Sequence, residues 1–182
     1  GGILPDGRTV LAVADFKKSP HLDFGEPMEL GAMGTALTVA GIATELFVPS
    51  EDIVGIEPEG WIHAHDQLNI TLQGYFAMGN ALASFDLLGE HAALFRPTWE
   101  RILAAIQDST LETAARLEVR AQAIDLMGRA AHAAIIASGG RGIRTSHSAQ
   151  RVYREAMVFS VSALTPEIQE VTLRTLACAN KT

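Results

Sequence analysis

Cysteine is nearly missing from this 182-residue chain: Cys178 is the only one. That excludes an internal disulfide and any cysteine cluster at metal-ligand spacing, and it makes a reducing cytoplasm the expected setting. Positive charge is also scarce. Lys and Arg number 14 against 21 Asp and Glu, a net charge of −7. A nucleic-acid binder needs a basic surface to replace counterions, so that class is disfavoured, although a local basic pocket stays compatible. No apolar run reaches the length of a membrane span, and the N-terminal residues lack the charged-then-apolar pattern of a secretory signal. Internal repeats and low-complexity tracts are absent too.

What the chain does have is apolar material. Hydrophobic residues make up 48% and charged residues 19%, enough to bury a core within one domain or one and a half. It begins GGILPDGRTVLAVADF, strand-like from the outset. A sheet edge is a poor place for a domain to begin, so the expectation is that the first part of a longer protein precedes it.

Two compositions succeed one another. Residues 8–14 (RTVLAVA), 35–40 (TALTVA) and 43–48 (ATELFV) read as short strands punctuated by Gly31, Gly34, Gly41 and several prolines. VPSEDIVG reads as an exit loop. From Trp61 the period changes to that of a helix. Leu68, Leu72, Tyr75, Met78, Leu82 and Phe85 form one stripe, with Gly89 as its stop. Pro97 opens a second helix with Trp99, Ile102, Leu103 and Ile106 inward. Ser109 and Glu112 have capping-box spacing and open a third. Its stripe of Leu117, Ala121, Ile124, Gly128, Ala131 and Ile135 is mostly small, which suits a central helix, and GGRG (139–142) ends it. A fourth helix covers 147–158. The fifth has Thr165 as N-cap and Pro166 as first helical residue, with Ile168, Val171 and Leu176 inward. The expected fold is mainly α: a partial β-sheet segment over 1–57, then an up-down helical bundle over 58–182.

Four stretches in this order carry a family resemblance: LGAMGTALTVAGIATELFVPSEDIVG, DQLNITLQGYFAMGNALASFDLL, IIASGGRGI and QRVYREAMVFSVSALTPEIQ. Together the chain resembles the back half of an acyl-CoA dehydrogenase, the end of the middle β-domain followed by the C-terminal helical domain. The resemblance implies a flavoenzyme. FAD would lie between the β-domain and the bundle, and a homodimer or homotetramer mate would complete the site. A base would remove the α-proton of an acyl-CoA while the β-hydrogen leaves as hydride to the flavin.

In that family the loop before the last helix carries Tyr-Glu-Gly-Thr, and its Glu is the base. The matching residues here are Ser162, Ala163, Leu164 and Thr165, so Ala163 stands where the Glu would be. Other members place the base on the first bundle helix, near Leu68 and Asn69, and neither is acidic. Both familiar base positions are empty. Asp66, with His63 and His65 beside it, is the remaining candidate base; the plainer reading of HAHD is a solvated helix start. The two histidines, two apart, do not share a helix face, so no metal site is read there. The resemblance places Gly139, Gly140, Thr165 and Glu167 on the cofactor side and Asp66 and Asn69 on the substrate side. Each has a plainer role, as helix cap, turn or first-turn acid. Arg154 and Glu155 match a family Arg–acid pair. The family's Arg-x-x-Phe-Gly flavin motif has no match in LLGEHAALFRPTWE. Three readings stay open: an acyl-CoA dehydrogenase-like oxidoreductase with an atypical or absent base, a flavin-dependent monooxygenase of the same fold, and a dimerising helical module without chemistry.

Overall fold

The computed structural model describes residues 1–178, except for the side chains of Gln67 and Leu68. The expected place of the Leu68 side chain on the first apolar stripe lies outside the described residues. The chain divides into two compact units, Gly1–Leu68 and from Asn69 onward.

The first unit holds five short strands and one helix: β1 (Gly2–Ile3), β2 (Thr9–Ala12), β3 (Leu22–Phe24), β4 (Gly41–Ala43), β5 (Ile53–Glu57) and α1 (Trp61–Leu68). β1, β2 and β5 form an antiparallel sheet in that order, and β3 pairs antiparallel with β4. Val10 faces Ile56 and Leu11 faces Gly55, with a bulge between Leu11 and Ala12. Two sequence expectations fail here. Residues 35–40 are no strand: Met33 and Leu37 both take left-handed backbone, φ 56 and 47, around a 3₁₀ turn at Gly34–Ala36. Residues 43–48 leave the sheet after Ala43 because Glu45 turns left-handed, φ 49. The exit loop instead runs into β5, whose IVGIE alternates in burial as a half-buried strand should.

The second unit is an up-down helical bundle: α2 (Gly74–Leu88), α3 (Arg96–Gln107), α4 (Thr113–Ser138), α5 (Ser148–Val161) and α6 (Pro166–Cys178). α4, 26 residues long, is the central helix and touches each of the other four. Its inner surface is alanine: Ala121, Ala123, Ala130, Ala131 and Ala134 are wholly buried. Side chains this small let the neighbouring backbones close in, and Met78, Ile102, Ile124, Leu126 and Met127 fill the rest. Trp99 Nε1 donates to Met78 O at 2.9 Å and ties α3 to α2. Asn80 Nδ2 donates to Val152 O at 3.1 Å and ties α2 to α5.

Most helix boundaries fall where sequence places them. Gly89 caps α2 at φ 56, proline opens α3, and Gly139 caps α4 at φ 57. The first stripe does not hold. The chain breaks into turns over 69–73, and Leu72, Tyr75 and Leu82 are exposed. The buried face of α2 is Gly74, Ala77, Met78, Asn80, Ala81, Ser84, Phe85 and Leu88. Closest approach to α4 is made by small residues, so spacing the large ones misphased the helix. For the same reason Gly128 and Leu176 face outward, whereas Ile168 and Val171 are buried. Among the described residues, no helix is long and apolar enough to cross a membrane.

Candidate functional site

The connection from α5 to α6 is four residues, Ser162 to Thr165, closed at both ends. Ser162 caps α5 in extended conformation and its hydroxyl donates to Val158 O at 3.0 Å. Thr165 begins α6 as expected: its Oγ1 accepts from Ile168 N at 3.4 Å. Between them Ala163 is exposed and holds φ 46, the left-handed region. For a residue with a Cβ this conformation costs about 1 kcal/mol. Such outliers persist only where surroundings enforce them.

Arg120 holds the carbonyl of the preceding residue, Ser162. It stands in the N-terminal half of α4, is 1% exposed, and makes no ion pair among the described residues. Its Nη2 donates to the carbonyl of Ser162 and its Nη1 to Ile70 O at 3.1 Å. Its Nε is buried and has no acceptor among the described residues. Burial pushes its pKa below the usual guanidinium value, though an arginine remains charged. The Ser162 carbonyl lies at the negative end of the α5 dipole, which favours a cation there without a carboxylate. Sequence reasoning missed Arg120. Its signal was an arginine beside the small-residue stripe, with Arg116, Leu117, Ala123 and Ile124 at helical spacing from it and no acid among them.

The Gly-Gly turn lies at the other end of α4. Gly139–Ile143 forms a 3₁₀ turn, and the Cβ directions of Gly139 and Gly140 meet nothing within 4 Å. Gly142, not chosen from sequence, is the tightly packed one: a Cβ there would stand 2.9 Å from Ile135 O. Arg141 and Arg144 are exposed beside it. His147 caps the following helix, its Nδ1 accepting from Ala149 N at 3.1 Å.

The remaining expected residues are scattered. His63, His65 and Asp66 are exposed on α1 in the first unit, and the His65 ring stacks on Trp61 with centroids 4.7 Å apart. Asn69 is half-buried at the start of the second unit. Glu167 is exposed in the first turn of α6. The Arg154–Glu155 pair does not form as such: Glu155 faces Arg151 at 3.7 Å, one helical turn away, and Arg154 Nε is buried without an acceptor among the described residues. Adjacent helix residues point apart, which is why the neighbour loses to the residue four back. A cavity of about 630 Å³ in the first unit, with Lys17, Lys18 and Phe47 in its walls, includes none of the expected site residues. No three His, Cys, Asp or Glu side chains among the described residues converge on a metal position.

No family model matches the sequence, and no curated protein matches it. Solved structures do match. Butyryl-CoA dehydrogenase from Megasphaera elsdenii is 15% identical with a TM-score of 0.62, over 94% of this chain and 52% of that one. Acyl-CoA dehydrogenase from Geobacillus kaustophilus is 19% identical at 0.62, over 92% and 52%. The flavoprotein nitroalkane oxidase is 17% identical at 0.57, over 92% and 47%. The chain thus spans about half the length of the structures it matches, and the likeness at these identities is one of fold.

Proposed function

We propose, from the fold this chain shares with the C-terminal half of the acyl-CoA dehydrogenases, that it supplies the helical half of an FAD-dependent oxidoreductase acting on an acyl-CoA or a related substrate. In this reading residues 1–57 end a middle β-domain and 58–182 form the C-terminal domain of a cytoplasmic homodimer or homotetramer. The observation that carries it is the fold match, over 92–94% of this chain. At the position that the resemblance gives to the base, Ala163 holds a left-handed backbone with only a methyl side chain.

The features of this chain fit a flavin nucleotide at the Gly-Gly turn. Open Cβ directions at Gly139 and Gly140 admit close approach to backbone, and Arg141 and Arg144 offer exposed cations for a pyrophosphate. FAD, when bound, would supply the hydride acceptor. Thr165 would hold the N-terminus of α6 in place, with Glu167 in its first turn. The resemblance assigns Asn69 and, as the remaining candidate base, Asp66 to the substrate side. A second reading draws on the same residue. An alanine at position 163 suits a monooxygenase, whose oxygen chemistry needs no α-proton base.

The test uses the intact protein reconstituted with FAD under anaerobic conditions. A panel of acyl-CoAs and of 1-nitroalkanes is added while visible flavin absorbance is followed. Bleaching by a thioester class supports the dehydrogenase reading. A yellow protein that only an external reductase bleaches moves the assignment to the monooxygenase. A protein that never holds flavin leaves the non-catalytic module.

A further inference from the structure

Arg120 reaches two segments far apart in sequence. Ile70 O belongs to the turns preceding α2, beside Asn69, and Ser162 O belongs to the connection that contains Ala163. These are the two places that the resemblance offers for a base. A peptide unit is planar, so fixing its carbonyl oxygen fixes the orientation of the whole plane. Holding Ser162 O therefore sets the plane that carries the Ala163 nitrogen, from which φ of Ala163 is measured. Holding Ile70 O does the same for the plane leading to Thr71. A guanidinium suits this task because its donors form a rigid planar fork; an ammonium is a point charge on a flexible stem. The fork is itself anchored: it grows from the N-terminal half of the central helix, and Arg120 is 1% exposed.

We propose that Arg120 is a positioning residue. One buried guanidinium locks the 69–73 turns and the 162–165 connection to α4, and so sets where the side chain of residue 163 points. Its catalytic meaning rests on the function proposed above; the locking itself does not.

The test is a double-mutant cycle between Arg120→Met and Ala163→Gly in the full chain, read by urea unfolding. With Arg120 present, glycine at 163 relieves an imposed left-handed conformation, and the folding equilibrium rises roughly fivefold. With Arg120→Met, the connection relaxes out of that region and the gain disappears. Equal gains in both backgrounds overturn the proposal. If Arg120→Met does not fold, Arg120→Lys replaces it. Lysine cannot bridge both carbonyls, so amide exchange over 70–73 and 162–165 then rises together, about tenfold. A rise in one segment alone, or in neither, overturns it equally. In the intact flavin-loaded protein, Arg120→Lys lowers the saturated rate of flavin reduction by whichever substrate bleaches it and leaves KM unchanged; an unchanged rate refutes the catalytic meaning. If no substrate bleaches the flavin, the proposed function fails while the cycle still decides the lock.

Discussion

Gly142 has no room for a side chain. A Cβ there stands 2.9 Å from the Ile135 carbonyl oxygen and 3.1 Å from Ser138 Cβ, neither of them the far end of a flexible group. Gly140, two residues earlier, opens on empty space. Gly139 is open too but holds φ 57. Three glycines of one turn therefore answer to different physics. Gly142→Ala is expected to destabilise the chain by about 1–3 kcal/mol through overpacking. Gly139→Ala is expected to cost about 1–3 kcal/mol through backbone strain, because φ 57 with ψ −151 is a conformation essentially confined to glycine. Gly140→Ala should stay within about 0.5 kcal/mol. Urea unfolding of the three variants checks the order, and equal losses at 140 and 142 would reject it. Gly140→Ala then becomes the useful probe of function. It leaves the fold alone, so any weakening of flavin affinity in the intact protein reports contact between turn and cofactor. The spelling GGRG shows a turn but not which glycine is crowded; that depends on the preceding helical turn curling back over residue 142.

At the scale of elements, two helix starts contrast. The N-cap of α5, His147, accepts a hydrogen bond from Ala149 N, whereas the N-cap of α4, Glu112, has no side-chain bond to its helix. The Ser109–Glu112 capping box read from sequence does not form. Asp108 intervenes, its carboxylate accepting from Thr110 Oγ1 at 2.6 Å and from Thr110 N at 2.9 Å. These bonds, side chain first, hold the Asp108 carboxyl below its ordinary pKa. Its contribution is present above the ordinary carboxylate range and is lost as pH falls through the lowered folded value. Glu112→Ser, in extended backbone of φ −67 and ψ 156, is expected to stabilise α4 by about 0.5–1 kcal/mol. His147→Ala is expected to destabilise α5 by about 1 kcal/mol. Thermal midpoints moving in opposite directions confirm both, and a drop for Glu112→Ser would show that the Asp108 turn leaves no space for a cap. Helix existence was legible because stop signals such as Gly89 and Gly139, and the start signal Thr165-Pro166, act locally. Helix phase was not, because α2 and α4 meet on alanines, and alanine carries almost no hydrophobic period.

At the scale of the whole molecule, the two units differ in what they bury. The second encloses a continuous core around α4, with ten or so side chains near zero exposure. In the first, Thr9 and Ala32 are the buried ones among the described residues, while Phe16, Ile42, Phe47 and Val54 are 78%, 70%, 84% and 71% exposed. Folding stability follows apolar area removed from water, and two small residues cannot offset the ordering of 68. The alternating strands of the first unit were partly legible and its partnering was not, since β5 lies where a turn-rich spelling, PSED, precedes it. From this follows the last prediction. In the 182-residue chain, amide exchange should be slow in α2, α4 and α5 and close to unprotected over residues 1–57. Added FAD should form no stoichiometric yellow complex, since the match covers about half of each solved relative and a flavin needs walls on both sides to leave water. In the longer flavoprotein proposed above, the same strands should become protected, and flavin should bind with them. A chain of 182 residues that turns yellow at one flavin per copy would show instead that the bundle alone encloses the cofactor, and the search for contacts would then return to the Gly-Gly turn and the start of α6.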